Sequence, residues 1–425
     1  MHECNKVNIG IIGLGTVGTG VVKVLADFPD VVIKKIAVKN INKQRNLPDF
    51  DMSLLTTDPF EIVNNPDIDI VVEVIGGVDP ALNLLLTAVK NGKHVVTANK
   101  ELLAKHGEEV FKLAKAHGVS VLYEAAIAGG IPIIMPIKTT LAGNKINKIE
   151  GILNGTTNYI LTKMEKDCVS YETVLKDAQE LGYAETDPTG DVEGYDSAYK
   201  LATLATISLQ KRIDINKIYR EGITKISAND IKNVKELGYR IKLIALAKVL
   251  EDGKVDARVH PMLVPLTDTL SEINDVTNAV VLEGFPVGRV LFAGPGAGEF
   301  PTASSVVGDI LAIQRSFGAS KVLPFMECNH NVNAQQVDIS ETTNKYYVSL
   351  TAVNNTGVIG CIGDICGRHK ISLACILQKG INKENTAEIV VITENCLESD
   401  VMCALDELKR NDNIVRINNF IRVME

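Results

Sequence analysis

One acidic segment in the middle of this chain carries the residue types that could do chemistry. Residues 178–200 read AQELGYAETDPTGDVEGYDSAYK and place six carboxylates before one lysine. Glycine and proline predict a loop in its first part, and the composition from Asp196 onward predicts a helix. On that helix Asp196 and Lys200 would share a face, so an acid and an amine could point into one cleft. The alternative is a solvated ion pair, with Glu185 and Asp191 on an ordinary surface loop.

A glycine-rich turn near the N-terminus has the spacing of a dinucleotide-binding loop. The run VNIGIIG at residues 7–13 predicts a strand, and a helical pattern follows through Leu25. The turn comprises Gly13, Leu14, Gly15, Thr16, Val17 and Gly18. Such glycines let the backbone approach a pyrophosphate, and the helix N-terminus supplies amide donors. The alternative is a tight strand-to-helix turn without a ligand.

The end of the second predicted strand bears on the choice of cofactor. The acid that would bind a ribose 2′-hydroxyl is missing after Ala37, and Lys39, Lys43 and Arg45 cluster there instead. Because cations suit a 2′-phosphate, this favours NADP over NAD. The alternative is that these cations are solvated surface residues.

Two further segments could contribute polar groups to the same site. Thr97 to Lys100, TANK, follows an apolar strand, and ligands bind at the carboxyl ends of strands in open α/β sheets. Lys100 would then lie near the nicotinamide, unless it is an ordinary residue of a first helical turn. Residues 124–132, EAAIAGGIP, place one carboxylate among small residues whose carbonyl oxygens could coordinate a hard cation.

The elements that must position these residues follow an alternating pattern in the first third of the chain. Strands are predicted at residues 7–13, 32–38, 70–75, 94–97 and 119–123, with helices at 80–91 and 104–117 between the later ones. Alternating βαβ units predict a parallel, doubly wound sheet of the Rossmann type.

The pattern changes after Pro132 to helices and polar connectors, including a helix predicted over Lys235 to Leu250. A glycine-rich loop from Gly294 feeds a helix that could return the chain to the first domain, which would then be discontinuous. From Lys345 onward the order βαββαβ is predicted within about 80 residues, the ferredoxin-like plan.

The bulk composition limits the class of protein. A chain of 425 residues, 46% hydrophobic and 23% charged, is expected to form several globular domains. A net charge of −8 without a basic cluster disfavours a nucleic-acid partner. The N-terminus lacks a signal-peptide pattern and no apolar run approaches the length of a membrane span, so a cytoplasmic protein is expected. Reduced, mostly buried thiols are expected at the eight scattered cysteines, 4, 168, 328, 361, 366, 375, 396 and 403.

Taken together, these motifs resemble the homoserine dehydrogenases. The resemblance covers essentially the whole chain, through the dinucleotide fingerprint, VVTANK, YEAAIAGGIP, ILNGTTNYI, residues 178–200 and GPGAGEFPTASSVV. It implies an enzyme that interconverts L-homoserine and L-aspartate 4-semialdehyde with NADP or NAD, in the pathway to threonine and methionine. The reaction needs a proton acceptor and donor at the substrate oxygen, a role that a lysine can fill, and carboxylates for the substrate ammonium group.

The resemblance also implies roles for single residues. Lys200 would be the acid/base lysine, Asp196, Glu185 and Asp191 would hold the substrate, and Lys100 would lie between substrate and cofactor. Gly182 and Gly298 would touch the cofactor, as would Lys39 by its position. A monovalent cation, usually sodium, would be held by Glu124 and by the carbonyl oxygens of Ile127, Gly129 and Ile131.

The predicted domains follow from the same comparison. A nucleotide-binding domain is expected at 1–132 plus about 295–320, an α+β catalytic and dimerisation domain at 133–294, a linker at 321–344 and an ACT regulatory domain at 345–425. The ACT module would bind threonine or another effector, or serve only for assembly into a dimer or tetramer. Two alternatives to the leading function are a sensor without turnover and a dehydrogenase of another amino acid, such as aspartate.

Overall fold

The computed structural model describes residues 6–45, 47, 50–317, 323, 332–381 and 385–424. The first third of the chain alternates strands with helices. In chain order these are β1 (Val7–Ile12), α1 (Thr16–Leu25), β2 (Val31–Ala37), β3 (Leu55–Thr56), α2 (Phe60–Val63), β4 (Ile70–Glu73), α3 (Ala81–Lys90), β5 (His94–Thr97), α4 (Lys100–His117) and β6 (Val121–Leu122).

The middle of the chain mixes short helices with long strands. These elements are α5 (Ala125–Ala128), α6 (Ile134–Lys138), β7 (Lys145–Ile152), α7 (Gly155–Asp167), α8 (Tyr171–Glu180), α9 (Thr189–Val192), α10 (Tyr195–Leu209), β8 (Tyr219–Arg220), α11 (Ala228–Glu236), β9 (Tyr239–Val249), β10 (Val255–Pro265), β11 (Thr277–Phe285), β12 (Gly288–Pro295) and α12 (Glu299–Ser316). The C-terminal elements are β13 (Thr343–Val353), α13 (Val358–Arg368), β14 (Leu373–Ile381), β15 (Thr386–Thr393), β16 (Cys396–Leu397), α14 (Glu398–Lys409) and β17 (Ile414–Val423).

The described chain forms two compact units, each built from separate chain segments. Unit 1 takes its residues from Met1–Ile149, Tyr199–Asn216 and Asn278–Ala334, and unit 2 from Glu150–Ala198, Lys217–Thr277 and Gln335–Glu425. The three-domain division expected from the sequence, with its boundaries, stays a prediction. Residues 321–331 of the predicted linker, except residue 323, lie outside the described residues.

Unit 1 contains a sheet with the strand order β3-β2-β1-β4-β5-β6, in which each neighbouring pair is parallel. This is the order of the dinucleotide-binding Rossmann fold and confirms the predicted parallel sheet. Strands β4 and β5 are buried along their whole length, as expected when helices cover a parallel sheet. In the same unit β12, β11 and β7 lie side by side.

Helix α12 packs against α1 and so returns the chain to its N-terminal part. Lys23 Nζ lies 2.7 Å from Glu299 Oε1. A Cβ atom added at Gly20 would lie 2.5 Å from the carbonyl oxygen of Glu299, so only glycine permits this close approach. The predicted helix after the glycine-rich loop from Gly294 is therefore confirmed, although Gly294 itself still belongs to β12, which ends at Pro295.

Unit 2 contains the strand order β9-β10-β17-β13-β15-β14. Its C-terminal part follows the predicted βαββαβ order, with α13 and α14 packed on the sheet around Leu350, Ile362, Ile389 and Leu405. Only two residue pairs join β10 to β17 in parallel, Met262 with Arg422 and Leu263 with Val423.

The helix predicted over Lys235 to Leu250 is wrong. Helix α11 ends at Glu236, Gly238 adopts a left-handed φ of 84°, and Tyr239–Val249 forms strand β9. The seven consecutive residues at the centre of β9 are all buried. A strand buried on both faces shows no alternation of polar and apolar residues, so its sequence can be mistaken for a buried helix.

The prediction of mostly buried thiols is also wrong for the described cysteines. Cys366 and Cys396 are buried and Cys361 is half-buried, while Cys168, Cys375 and Cys403 are exposed. Cys168 follows the last turn of α7, and Cys375 lies on the strand β14 at the end of its sheet. Cys403 lies on the outer face of α14. None of these three positions faces a hydrophobic core. Cys4 and Cys328 lie outside the described residues. Among the helices that the structure describes, none is both long and apolar enough to cross a bilayer.

Candidate active site

The three glycines of the N-terminal turn have three different steric environments. Gly13 has a φ of 108°, and a Cβ there would meet Ile75 and the carbonyl oxygen of Val74 at about 3 Å. A Cβ at Gly18 would lie 2.2 Å from the carbonyl oxygen of Gly13. A Cβ at Gly15 would meet no protein atom within 4 Å. Gly13 and Gly18 are thus required by the turn, whereas Gly15 leaves open space at the start of α1, where a phosphate group would fit.

Glu73, which the sequence reading missed, organises the neighbouring strand ends in unit 1. Its Oε1 accepts hydrogen bonds from the backbone N–H groups of Ile75 and Gly76 at 2.9 and 3.2 Å. Its Oε2 accepts one from the hydroxyl of Thr97 at 2.6 Å. Burial raises the pKa of the Glu73 carboxyl group. This side chain therefore fixes the loop after β4 to the end of β5.

Lys100 is the first residue of α4, four residues before the predicted helix start. The cause is Asn99, whose side chain accepts a hydrogen bond from the N–H of Leu102 and caps the helix. Asn99 Nδ2 also donates to the carbonyl oxygen of Gly77 at 2.6 Å. Lys100 thus stands at the carboxyl edge of the parallel sheet, on a turn that is held from two sides.

The predicted cation cluster after β2 is only partly available for a ligand. Lys39 and Lys43 are exposed. The Arg45 guanidinium donates to the carbonyl oxygens of Asn40 and Lys43 at 2.8 Å, which folds the turn on itself. The backbone N–H of Gly13 donates to the carbonyl oxygen of Ala37 at 2.9 Å, so Lys39 follows directly on the strand end beside the glycine turn.

In unit 2, Asn154 joins two of the predicted substrate carboxylates. Its Nδ2 donates to Asp191 Oδ1 at 2.7 Å and to Asp196 Oδ2 at 2.9 Å. Asp191 Oδ2 also accepts a hydrogen bond from the hydroxyl of Thr156 at 3.0 Å. Asn154 and Thr156 lie in the ILNGTTNYI motif. The family resemblance includes this motif, but the sequence alone predicted no role for either residue. Their partners lie 35 to 42 residues away in sequence, so spacing alone could not pair them.

Helix α10 carries the predicted acid and amine. It begins at Tyr195, one residue before the predicted start, and Asp196 and Lys200 are 6% and 8% exposed. Two ionisable side chains this deeply buried, one helical turn apart, do not fit the alternative of a solvated surface pair. Glu185 is exposed. The described hydrogen bonds of Asn154 Nδ2 go to Asp191 and Asp196 and not to Glu185.

Two predicted cofactor glycines have left-handed backbones. Gly182 has a φ of 75° and follows α8 in an exposed turn. Gly298 has a φ of 124° and is the N-cap residue of α12, where a glycine cannot form a side-chain capping hydrogen bond. Both positions favour glycine for conformational reasons that are independent of a ligand.

The predicted cation loop in unit 1 is tightly built. Glu124 Oε1 accepts hydrogen bonds from the N–H groups of Ile133 and Ile134, and Oε2 accepts one from Met135, so the carboxylate caps α6. The carbonyl oxygen of Gly129 accepts a hydrogen bond of 2.6 Å from Ser305. Ile127, in the short helix α5, and Ile131, in the segment that follows it, are both buried.

A second carboxylate faces the cation loop from α12. Asp309 Oδ2 accepts a hydrogen bond from the Glu124 N–H at 2.9 Å. Burial raises the pKa of Glu124. Burial and the negative charge of Glu124 hold the pKa of Asp309 well above its usual value. Across the described residues no group of three or more His, Cys, Asp or Glu side chains is arranged to hold a metal ion.

A cavity of about 290 Å³ lies in the C-terminal part of unit 2. Asn355, Gly357, Gln378 and Ile389 are among the residues that line it. Gly357 has a φ of 86° and precedes α13, so the first amide groups of that helix border the cavity. Its size suits a small molecule, and its described side chains are apolar or uncharged.

Comparisons with known proteins bear on the family and the fold of this chain. A family model for homoserine dehydrogenase matches residues 132–311, and one for the homoserine dehydrogenase NAD binding domain matches residues 13–124. The homoserine dehydrogenase of Synechocystis is 42% identical over 98% of this chain and 99% of its own length. The crystal structure of the Thiobacillus denitrificans homoserine dehydrogenase superposes with a TM-score of 0.93 and 38% identity, over 99% of this chain and 98% of that one. A hyperthermophilic archaeal homoserine dehydrogenase in complex with NADPH matches with a TM-score of 0.63 and 27% identity, over 73% of this chain and 98% of its own.

Proposed function

The chain belongs to the homoserine dehydrogenase family, and on that premise we propose how its residues carry out the reaction. The protein is an oxidoreductase that interconverts L-homoserine and L-aspartate 4-semialdehyde with a nicotinamide cofactor, in threonine and methionine biosynthesis. The sensor without turnover is therefore set aside.

We propose that the glycine turn and Lys39 bind NADP in preference to NAD. The open space at Gly15, at the start of α1, would receive the pyrophosphate, with Leu14, Thr16 and Val17 completing the turn. The exposed ammonium of Lys39 would meet the 2′-phosphate, and an archaeal relative has been solved with NADPH. When bound, the cofactor supplies or accepts the hydride. Gly182 and Gly298 are proposed as further cofactor contacts from the family resemblance.

The substrate carboxylates are proposed to be Asp196, Asp191 and Glu185. Homoserine and aspartate semialdehyde both carry an ammonium group, and charge-assisted hydrogen bonds to carboxylates would hold it. Asn154 keeps Asp191 and Asp196 together in unit 2, which supports these two assignments. Glu185 rests on the family resemblance and on its place in the same segment.

Lys200 is proposed as the acid and base at the substrate oxygen. In homoserine oxidation its neutral amine would accept the hydroxyl proton, and in the reverse direction its ammonium would return a proton to the aldehyde oxygen. The observation that carries this proposal is the burial of Lys200 one helical turn after Asp196. Lys100, at the start of α4, is proposed to lie between substrate and cofactor.

The test is a spectrophotometric assay of the reduced nicotinamide with homoserine, compared with aspartate as the substrate. We expect turnover with homoserine, and the variant Lys200→Ala should lose roughly 10²- to 10⁴-fold in kcat while its affinity for NADPH is nearly unchanged. Lys163→Ala, which removes a half-buried lysine of α7, is the control. Normal turnover by Lys200→Ala would refute its assignment as the acid and base.

A monovalent cation, sodium in the first instance, is proposed at Glu124 and the carbonyl oxygens of Ile127, Gly129 and Ile131. One carboxylate with several carbonyl oxygens is a donor set that suits a hard cation. The neighbouring Asp309 adds a second buried carboxylate. Burial raises the pKa of both groups, and the charge of Glu124 raises that of Asp309 further, so a nearby cation would favour the charged forms of both. The cation would hold the loop that caps α6 and would take no part in proton or hydride transfer.

The C-terminal βαββαβ part is proposed to be an ACT module that binds an amino-acid effector such as threonine. The cavity beside the N-terminus of α13 supports this, because amide N–H groups there would donate hydrogen bonds to the carboxylate of an amino acid. A role in assembly alone is the alternative. The homo-oligomer and the cytoplasmic location expected from the sequence stay predictions.

A further inference from the structure

Arg220 packs on the turn of unit 2 that leads into helix α10. Its Nη1 donates a hydrogen bond of 2.5 Å to the carbonyl oxygen of Glu193. Its guanidinium carbon lies 3.4 Å from the centre of the Tyr195 ring. Between these two contacts is Gly194, with a φ of 78°, where a Cβ would lie 3.4 Å from Arg220 Cγ. One side chain therefore holds the turn just before Asp196 by a hydrogen bond and by stacking.

The residues after Arg220 hold the same turn from its other side. The N–H of Ile223 donates to the carbonyl oxygen of Val192 at 2.9 Å, and the hydroxyl of Thr224 donates to Glu193 Oε1 at 3.1 Å. A Cβ at Gly222 would lie 2.4 Å from the carbonyl oxygen of Val192, so the two backbones touch there. The turn between Asp191 and Asp196 thus takes its shape from the segment 220–224.

A partly buried ion pair connects this segment to the C-terminal part of the chain. Glu221, next to Arg220, lies 3.3 Å from Arg422 Nη1. Arg422 is 2% exposed, forms a paired contact with Glu398 on α14 and lies over the ring of Tyr219. Glu221 is also anchored by its N–H, which donates to the carbonyl oxygen of Val259 on β10. A continuous set of contacts therefore runs from α14 and β17 to the turn before Asp196.

We propose that Arg220 is a positioning residue for Asp191 and Asp196, and that the Glu221–Arg422 ion pair ties this position to the C-terminal βαββαβ part. The proposal rests on the substrate-binding roles proposed for the two aspartates. Two carboxylates that must meet one ammonium group need a fixed backbone between them, and small misplacement of binding groups is costly. Arg220 supplies that fixation without touching either carboxylate in the described contacts.

The first test compares Arg220→Ala and Arg220→Lys with the control Arg240→Ala. Arg240 is a half-buried arginine of the same unit that pairs with Glu165 and Glu272, away from the turn. We expect Arg220→Ala to raise KM for homoserine about 10-fold while kcat and KM for NADPH change less than about 2-fold. Arg220→Lys keeps the charge but not the planar stacking, so it should recover KM only in part. A KM that matches that of Arg240→Ala would overturn the proposal.

The second test measures amide hydrogen exchange at residues 191–196 in Glu221→Gln. This variant keeps the side-chain shape and leaves the buried pair of Arg422 with Glu398 intact. Glu236→Gln is the matched control, because Glu236 also forms an ion pair with the C-terminal part, through Lys379 at 2.6 Å. We expect exchange about 5-fold faster in Glu221→Gln and unchanged in Glu236→Gln. Unchanged exchange in both variants would overturn the tie between the ion pair and the turn.

The variant Asp196→Asn separates this inference from the function on which it rests. If Asp196→Asn leaves KM for homoserine unchanged, the substrate-binding role of Asp196 fails and the inference fails with it. If Asp196→Asn raises KM and Arg220→Ala does not, the substrate role stands and the positioning role of Arg220 alone is refuted.

Discussion

The side-chain amide of Asn154 donates a hydrogen bond of 2.9 Å to Asp196 Oδ2. The same nitrogen donates to Asp191, while the side-chain oxygen caps α7 by accepting from the N–H of Thr157. One residue therefore starts a helix and brings two like-charged side chains together. A shared donor offsets the repulsion between two carboxylates, so we propose that Asn154 positions Asp191 and Asp196 in the proposed substrate site.

Replacing Asn154 by Ala should raise KM for homoserine about 10-fold and leave KM for NADPH nearly unchanged, because Asp191 and Asp196 lose their shared donor. The variant also loses a helix cap, at a cost of about 1 kcal/mol in the free energy of unfolding. Ser170→Ala removes the cap of α8 without touching either aspartate and is the control. Steady-state kinetics of both variants check this, and equal KM values would contradict it.

Replacing Lys39 by Ala should raise KM for NADPH about 10-fold and leave KM for NADH unchanged, since only NADPH carries the 2′-phosphate. Lys43→Ala is the matched control, because Lys43 is an exposed lysine of the same turn. Kinetics with both cofactors provide the measurement. If wild-type protein shows equal KM values for the two cofactors, the preference inferred from Lys39 is wrong.

The free energy of unfolding should depend on pH in a way that reflects the lowered pKa of Lys242. This buried side chain on β9 donates to Asn158, Asn274 and the carbonyl oxygen of Ile273, and burial lowers its pKa from 10.5 to about 8. Between these two values the unfolded chain binds more protons than the folded chain. The free energy of unfolding should therefore rise from about pH 8 to pH 10, by at most about 1.4 kcal/mol per pH unit.

Lys242→Met isolates that contribution, because methionine fills similar space and does not titrate. The variant should be less stable overall, since three acceptors lose their donor. The free energy of unfolding is measured by thermal unfolding for both proteins across the same pH series. The wild-type value minus the variant value should grow above pH 8. A difference independent of pH would show that Lys242 keeps an ordinary pKa.

Threonine should bind in the cavity beside α13, lower the activity and raise the melting temperature by mass action. Asn355→Ala, which removes a polar side chain from the cavity wall, should weaken this response about 10-fold. Asp406→Asn, an exposed change on α14, is the control. A threonine titration that alters neither activity nor melting would leave the C-terminal part as an assembly element.

Local patterns predicted the parallel sheet and the C-terminal part because each of their elements carries its own signal. The long strands between them, β7 and β9 to β12, were not predicted, since only helices and polar connectors were expected after Pro132. The glycine turn, the buried runs of β4 and β5 and the C-terminal βαββαβ order are all readable from neighbouring residues. Strand β9 was not, because it is buried on both faces and follows α11 after a single glycine turn. Its hydrogen-bonded partner β10 decides its conformation, and that pairing is not visible in the local sequence.

The proposed site residues divide in the same way between those that the local sequence suggests and those that it does not. Asp196 and Lys200 were found because helical spacing relates them, and Lys100 because it follows a strand. Glu73 and Asn154 were missed because their roles depend on partners 24 and 42 residues away. Arg220 lies 27 residues from the carbonyl group that it binds, and its short strand has no pattern of its own.

The contact between α1 and α12 has a consequence for folding during synthesis on the ribosome. Lys23 and Glu299 are 276 residues apart, so the partner of α1 is synthesised long after α1 itself has emerged. At roughly 5–20 residues per second, the nascent chain waits about 14–55 s with that helix face uncovered. The face of α1 that α12 covers can therefore be buried only after the helix that contains Glu299 has been synthesised.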